Sequence, residues 1–408
     1  MKRHAAARSP RLLPALLGAL AASGAPRAEA AELAVPDDGA LRVAVRGLRA
    51  GDVVRLAPGV YAGGVTLEGL AGTAERPIVV CAQDPTRPPE FVGGAQALHL
   101  VRCEYVVLRD LVVREQTGNG INVDDGGQRE RPPAGLVVER VRFERIGPRG
   151  NRDALKLSGL VDFVVRDCTF EGWGGSAIDM VGCHRGRIEG STFRGVPSCS
   201  QDTGVQCKGG TSEVAIRGCT FRDAGARALN LGGSTGLEWF RPLDAPHEAR
   251  ALVVEGCRFE GSDAPLAFVG VDGAVVRRCT FVRPRAWLAR ILQESRGERF
   301  VPCRSGVLEE NVVVLAPGLR RLVNVGDGTA PETFVFRRNL WFVEGGGPDR
   351  RAAELPVPEA DGAWGTDPRL DPATLRVDPK GPARGLGADA WSPEPAGARP
   401  ARPARPRR

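Results

Sequence analysis

Several features that define other protein classes are missing from this 408-residue sequence. No apolar run approaches the ~20 residues of a membrane-spanning helix. No G-x-G-x-x-G or G-x-x-x-x-G-K motif indicates a nucleotide site. The net charge of +7 is concentrated at the ends, with +4 in residues 1–30 and +4 in residues 391–408, which leaves −1 for the body. A neutral body provides no electrostatic basis for binding nucleic acid.

The N-terminus has the form of a secretory signal peptide. A basic start precedes an apolar run over residues 12–22, and a small-residue site follows at residues 28–30. We therefore expect residues 1–30 to direct secretion or export to the periplasm. The Pro/Arg-rich tail over residues 391–408 is expected to be disordered. Residues 31–390 are left for one folded domain, which we expect to be monomeric.

A repeat of the form V-x-x-C-x-F dominates this domain and recurs at intervals of 22 to 38 residues. The column at its Cys position contains Leu111, Val141, Cys168, Ser191, Cys219, Cys257, Cys279, Asn311 and Asn339. The column two residues later contains Val113, Phe143, Phe170, Phe193, Phe221, Phe259, Phe281, Val313 and Trp341. Short β segments separated by polar corners, without a helical period, favour a three-sided parallel β-helix over helical solenoids and propellers.

In such a coil, like residues stack ~4.8 Å apart. The Phe column then predicts an aromatic stack inside the coil, and Asn311 with Asn339 predicts an amide ladder at a corner. Parallel in-register side chains point the same way, so we interpret the cysteines of the repeat as stacked buried thiols. Export makes disulfides chemically accessible to the ten cysteines. Cys183 and Cys199 are the candidate pair across a loop.

Four segments between residues 153 and 233 share a second pattern: DALKLSG, SAIDMVG, TGVQCKG and RALNLGG. Their alternation is typical of strands with one buried face. The predicted inward columns are Leu155, Ile178, Val205 and Leu229, and Leu157, Met180, Cys207 and Leu231. The predicted outward columns are Asn122, Lys156, Asp179, Gln206, Asn230 and Ala267, and Asp124, Ser158, Val181, Lys208 and Gly232. Stacking these strands assembles one polar surface.

Residues 49–84 resemble the opening coil of secreted right-handed parallel β-helix proteins, and residues 361–390 resemble their closing segment. That superfamily includes polysaccharide lyases of the chondroitinase-B and pectate-lyase types, and the central region is most similar to family-nine pectate lyases. The resemblance implies an all-β, right-handed parallel β-helix of about 10–12 coils and an acidic polysaccharide partner. The family-nine lyases carry clustered aspartates beside a base lysine, whereas here Asp153, Asp179 and Asp202 are scattered. The Glu-rich calcium site of the chondroitinase-B type is also missing.

β-Elimination on a uronate polysaccharide requires neutralisation of the C5 carboxylate and a base for the α-proton. We predict a catalytic set of Lys156 or Lys208 as the base, His184 as a proton donor, and Asp179 between them. Asp153 and Asp179 are the candidate Ca²⁺ ligands. The residues predicted to bind sugar hydroxyls and carboxylates are Asn122, Gln206, Asn230, Arg227 and Arg241.

Several alternatives stay open. Loops at residues 124–135 and 232–250 flank the polar surface, either as walls of a groove or as tolerated insertions. Lys156 beside Asp179 also fits a surface ion pair worth ~0–1 kcal/mol. A glycoside hydrolase needs two carboxylates ~5–10 Å apart. Asp153 is out of register with Asp179, which argues against a hydrolase. The last alternative is a non-catalytic secreted protein that binds polysaccharide on the same surface.

Overall fold

The computed structural model describes residues 29–346 and 350–393. Its chain winds through three long parallel sheets, named here A, B and C, in that repeating order. This architecture confirms the predicted right-handed parallel β-helix. All but the last two residues of the predicted signal peptide, and the predicted tail from residue 394 onwards, lie outside the described residues.

The strands of each sheet follow one another in chain order. Sheet A contains Glu32–Val35, Val53–Leu56, Ile78–Ala82, Val106–Arg109, Val137–Glu139, Val164–Arg166, Arg187–Glu189, Ala215–Arg217, Ala249–Glu255, Val271–Arg277, Arg304–Glu309 and Val335–Arg337, with Thr211–Ser212 beside Ala249–Glu255. Sheet B contains Val60–Tyr61, Glu90–Val92, Val112–Arg114, Arg142–Ile146, Thr169–Trp173, Thr192–Arg194, Thr220–Arg222, Arg258–Glu260, Thr280–Val282, Val312–Leu315, Leu340–Val343 and Ala363–Trp364. Sheet C contains Val65–Glu68, Leu98–Val101, Ile121–Asp124, Leu155–Ser158, Ser176–Val181, Thr203–Lys208, Arg227–Gly232, Ala264–Val269, Ala289–Leu292 and Val323–Val325.

The predicted aromatic column forms a continuous stack inside the coil. Consecutive rings lie 4.5–4.9 Å apart and within 9° of parallel. The stacked residues are Phe143, Phe170, Phe193, Phe221, Phe259 and Phe281. Their spacing equals the distance between strands in a sheet, because each coil contributes one ring at the same position. The stack therefore fixes the register of successive coils.

The corner between sheets A and B carries the second predicted column. Asn311 donates through its side chain to Asn339 Oδ1 at 2.9 Å and accepts from the Cys279 amide at 2.9 Å, which confirms the amide ladder. All ten cysteines are buried free thiols, so the stacked-thiol interpretation is confirmed. The Cys183–Cys199 pairing is wrong, since Cys183 faces the coil interior and donates to the Val181 carbonyl.

Helical structure is short and lies at the ends and loops of the coil. The α-helix Asp38–Ala44 covers the N-terminal end, where Leu41 is buried and Asp37 caps the first turn by accepting from the Ala40 amide. The 3-10 helices are Leu237–Trp239, Pro331–Thr333, Arg350–Glu354 and Ala388–Ala390. Within the part of the chain that the structure describes, none of the helices has the length and apolarity to cross a membrane.

The last described segment, residues 367–391, runs back over the outside of the coil. Leu375 packs against Val282 and Val314 of sheet B. Further along, the Ala388 amide donates to Thr280 Oγ1 at 3.0 Å. The segment therefore shields apolar side chains on the outer face of sheet B and leaves the outer face of sheet C uncovered by this contact.

Candidate functional site

The outer face of sheet C carries the predicted polar column in register. Asn122 pairs with Lys156, Lys156 with Asp179, Asp179 with Gln206, and Gln206 with Asn230. The inward columns are buried as predicted.

One part of the predicted register is wrong. A β-bulge between Gln206 and Cys207 pairs Cys207 with Gly232, not with Leu231. Lys208 consequently has no partner at Gly232, and the second outward column ends at Lys208. The extra residue re-aims the end of this strand, which is a common use of a bulge.

The polar column is longer than the sequence pattern indicates. Thr66 and His99 precede Asn122, and Arg290 and Asn324 follow Ala267 in the same register. The strands Leu98–Val101 and Ala289–Leu292 show the same alternation as the four matching segments but lack the glycine that closes each of them. That alternation was the signal available for finding His99 and Arg290.

Four charged side chains converge in the middle of the column, and we name them the lysine–aspartate cluster: Asp153, Lys156, Asp179 and Lys208. Lys156 Nζ contacts Asp179 Oδ2 directly and lies 3.3 Å from Asp153 Oδ2. Lys208 Nζ lies 3.3 Å from Asp179 Oδ1. The side chain of Asp179 is 1% exposed and that of Lys156 is 25% exposed. The Lys156–Asp179 contact is therefore no ordinary surface ion pair, because its carboxylate is buried.

Neighbouring polar groups hold Asp153 and the Lys208 ammonium in place, whereas Asp179 Oδ1 is buried and accepts no hydrogen bond from the described residues. Asp153 Oδ1 accepts from the Ser176 amide at 2.9 Å, and the Asp153 amide donates to Asn119 Oδ1 at 2.8 Å. Gln206 Oε1 lies 3.5 Å from Lys208 Nζ and accepts from Ser176 Oγ at 3.4 Å. The groups that position the cluster therefore come from three coils, those of the strands Ile121–Asp124, Ser176–Val181 and Thr203–Lys208.

The charges of the cluster perturb one another. Burial alone would lower the pKa of Lys156, but the charges of Asp179 and Asp153 outweigh it and raise that pKa above its ordinary value. Burial raises the pKa of Asp153, and the charge of Asp179 adds to the rise. Lys156 is therefore held as a cation, and Asp153 is the carboxyl group of the cluster that is shifted toward its neutral form.

Lysine is rare in this chain, which makes its use here informative. The sequence contains 52 arginines and four lysines, of which only Lys156, Lys208 and Lys380 belong to the described residues. Arginine forms nearly all the ion pairs on the outer faces of the sheets, for example Arg194 with Glu171 at 3.0 Å. Two of the four lysines meet at one buried aspartate. Lysine differs from arginine in being able to lose its proton in a protein.

His184 belongs to a different pocket from the one predicted. Its Nδ1 lies 2.9 Å from Ser212 Oγ, at the corner between sheets C and A. The pocket there is also lined by Arg185, His247 and Arg250. Burial lowers the pKa of His184, and the charge of Arg185 lowers it further. Among the contacts of the described residues, none joins His184 to the lysine–aspartate cluster.

Arg241 joins the two loops that flank the polar surface. Its guanidinium donates to both oxygens of Asp125, at 2.5 and 3.0 Å, and to the Trp239 carbonyl at 2.9 Å. We name this Arg241–Asp125 contact the loop clasp. A Cβ at Gly182, which has φ +60°, would lie 2.5 Å from Arg241 Cβ, so glycine is required beneath the clasp. The loop at 232–250 therefore folds back over the corner, and the Arg241 guanidinium is occupied by protein groups.

The remaining predicted sugar-binding residues lie on the face of sheet C. Arg227 contacts Glu294 at 2.9 Å and donates to Asn230 Oδ1 at 3.3 Å. Asn122 donates to Gln96 Oε1 at 2.5 Å. Asn230 is 2% exposed, so it is covered by its neighbours, whereas Asn122 and Arg227 are half-buried.

The oxygen atoms around Asp153 and Asp179 do not fit a calcium ion. Calcium takes about six to eight oxygen ligands, whereas both carboxylates here face the ammonium group of Lys156. Within residues 29–346 and 350–393, no three or more His, Cys, Asp or Glu side chains are grouped to hold a metal. We therefore derive no chemical step through calcium.

Comparison with known protein families supports the fold. A family model described as "Right handed beta helix region" matches residues 154–240, which include Lys156, Asp179 and Lys208 of the cluster. The chain is similar to the solved alginate lyase from Paenibacillus sp. str. FPU-7, with 13% identity, 82% of this chain and 99% of that chain covered, and a TM-score of 0.49. It is also similar to the catalytic unit of an α-1,3-glucanase from Streptomyces thermodiastaticus (14% identity, 84% and 70% covered, TM-score 0.47). A further similar structure is that of pectate lyase Pel9A (12% identity, 74% of this chain and 79% of that chain covered, TM-score 0.42).

No curated protein sequence matches the chain. With identities of 12–14% and TM-scores of 0.42–0.49, the likeness to these solved structures does not assign an activity.

Proposed function

We propose that this protein is an exported carbohydrate-active protein that binds an acidic polysaccharide along the outer face of sheet C and cleaves it by β-elimination. One observation carries the proposal: two of the four lysines in an arginine-rich chain meet at the buried carboxylate of Asp179. If the site needed only a positive charge, an arginine could supply it, as arginine does in nearly all the other ion pairs of the described residues. A group that must give up and regain a proton requires lysine.

The two lysines have different roles in this proposal. Lys156 contacts two carboxylates and its pKa is raised, so it stays charged and neutralises the C5 carboxylate of the uronate. Lys208 has one carboxylate contact, at 3.3 Å, and acts as the base. Its neutral amine takes the C5 proton, the electron pair forms the C4–C5 double bond, and the C4–O bond breaks. The ammonium formed on Lys208 returns the proton to the leaving oxygen.

Hydrolysis is the second candidate, and one observation favours it. Asp153 and Asp179 share the ammonium group of Lys156, so their carboxylates lie within about 6 Å of each other, close to the ~5–5.5 Å spacing of retaining glycosidases. The raised pKa of Asp153 is also the property of a general acid. Both carboxylates lie beneath the lysines, whereas the lysines are the groups nearer to solvent, and we therefore rank elimination first.

The products of the reaction separate the candidates. The full chain is incubated with pectate, alginate and glycosaminoglycans, and both new reducing ends and ultraviolet absorbance of unsaturated uronate are recorded. We expect both signals to rise together on one acidic polymer. Reducing ends without absorbance would establish hydrolysis. Binding of a polymer without either signal would establish a non-catalytic binding protein.

Variants test the assignment of the base. Lys208→Met should abolish the absorbance signal while binding of the polymer is kept. Lys380→Met is the matched control, because Lys380 is exposed and lies outside the cluster, and it should leave turnover unchanged. Turnover by Lys208→Met at the wild-type rate would refute the assignment of Lys208.

A further inference from the structure

A second cationic surface lies on the same face, toward the C-terminal end of the coil. It consists of Arg290 and Arg320 around the indole ring of Trp287, with Arg227 close enough to Arg290 for their charges to interact, and we name it the arginine patch. Arg290 extends outward from its sheet C strand, in the same column as Lys156. Trp287 and Arg320 lie just before two neighbouring sheet C strands, Ala289–Leu292 and Val323–Val325.

Trp287 organises the patch through cation–π contacts. The guanidinium carbon of Arg290 lies 4.7 Å from the centroid of the Trp287 ring, and that of Arg320 lies 5.7 Å from it. Arg290 also donates to Asn324 Oδ1 at 3.1 Å. These contacts hold two flexible side chains in defined positions without neutralising their charge.

The patch carries an excess of positive charge. Glu294 forms an ion pair with Arg227 at 2.9 Å. Within the described part of the chain, Arg290 and Arg320 form no ion pair with a carboxylate. Burial lowers the pKa of Arg290 and the charge of Arg227 lowers it further, whereas the charge of Glu294 opposes this fall. The like charges of Arg227 and Arg290 repel each other. An anion bound among them would relieve this repulsion.

The arginine patch and the lysine–aspartate cluster lie on the same polar column of sheet C. Gln206, Asn230, Ala267 and Arg290 occupy successive positions in one column. Three strand spacings of ~4.8 Å place Arg290 ~14 Å from Gln206 along the coil axis. Asn230 and Ala267, which lie between Gln206 and Arg290, are both buried, so a polymer that contacts the cluster and the patch passes over the side chains that cover these two coils.

We propose that the arginine patch is a subsite that binds the anionic groups of an acidic polysaccharide several sugars away from the lysine–aspartate cluster. The bound group is a uronate carboxylate or a sulfate ester, since both are oxyanions that guanidinium groups bind with paired hydrogen bonds. This inference rests on the proposed function, because it assigns the same polymer to a longer groove. It implies that long acidic chains bind more tightly than short ones.

The test compares Arg290→Gln/Arg320→Gln with the wild type in the full chain. Affinities are measured by calorimetry for acidic oligosaccharides of increasing length, for a sulfated polymer without uronate, and for a neutral polymer. We expect the variant to bind long acidic chains about tenfold more weakly, which corresponds to ~1.4 kcal/mol, and to bind short ones unchanged. The control Arg187→Gln/Arg194→Gln removes the same charge from sheets A and B, where both side chains are exposed.

Each outcome decides the inference. A selective loss for long polyuronates supports carboxylate binding at the patch, and a selective loss for the sulfated polymer supports sulfate binding. Equal affinity of the wild type and the patch variant for all long anionic chains, with equal melting temperatures, overturns the inference even if the polymer is cleaved. If no polymer is cleaved but the length-dependent binding is lost in the variant, the proposed elimination fails and the subsite stands.

Discussion

Replacing Lys156 with methionine keeps the aliphatic stem and removes the ammonium group that neutralises two buried carboxylates. The side chains of Asp179 and Asp153 are 1% and 3% exposed, so water cannot take the place of the lost cation. Removing one partner of a buried ion pair costs about 3–5 kcal/mol. Because Lys156 itself is partly exposed, we expect the lower end, about 3 kcal/mol of unfolding free energy at pH 7.

This loss should decrease as the pH falls. Burial and the charge of Asp179 raise the pKa of Asp153, and Lys156 opposes that rise; without Lys156 the pKa rises further. A carboxyl group with a folded-state pKa above its unfolded value contributes stability below the unfolded pKa and loses it as the pH rises through the folded pKa. The difference between Lys156→Met and the wild type should therefore be largest at neutral pH and smallest below about pH 4.

Urea unfolding followed by circular dichroism measures both effects. In Lys156→Met, Asp179 keeps Lys208 at 3.3 Å, whereas Asp153 loses its ion-pair contact. The double variant Lys156→Met/Asp153→Asn removes that uncompensated charge and should recover most of the lost stability. Lys380→Met is the matched control for the loss of a lysine. The reasoning is refuted if Lys156→Met stays within about 1 kcal/mol of the wild type at every pH, as an exposed ion pair would.

Three further predictions concern other parts of the structure. Arg241→Gln breaks the loop clasp and leaves Asp125 buried without its cation, so limited proteolysis should cut residues 232–250 faster than in the wild type; an unchanged cleavage rate would contradict a structural role for the clasp. Burial lowers the pKa of His247 to about 4, so its contribution to stability is present above about pH 6.5 and is lost as the pH falls toward 4; His247→Asn should show a smaller drop in melting temperature between pH 7 and pH 4.5, and an equal drop would contradict this. A chelator should leave turnover unchanged, because Lys156 occupies the carboxylates that calcium would need; loss of activity restored by calcium would show otherwise.

The parts of the fold that repeat could be predicted from the sequence. In a parallel in-register coil, residues at equivalent positions of successive repeats are neighbours in space, so an alignment of the repeats is also a contact map. Phe193 stacking between Phe170 and Phe221 and Lys156 lying beside Asp179 follow from this rule.

The parts that do not repeat could not be predicted in the same way. The bulge at Cys207 shifts the register by one residue, and the alternation of the strand gives no signal of it. Asp153 precedes its strand, and the bend of the corner brings its side chain to Lys156. An alignment of the strand positions gives no information about such a bend. His184 and Arg241 lie at a corner and in a loop, where the direction of a side chain depends on local turns and on the clasp.

The loop clasp has a mechanical consequence for the whole molecule. In a stack whose windings touch only their nearest neighbours, unfolding can start at an end and advance one winding at a time. Asp125 and Arg241 are 116 positions apart in the sequence. Their contact therefore links windings that are not nearest neighbours along the axis. Unfolding that starts at an end should stop at the winding that contains this contact. The windings that carry both lysines should therefore stay folded or unfold together.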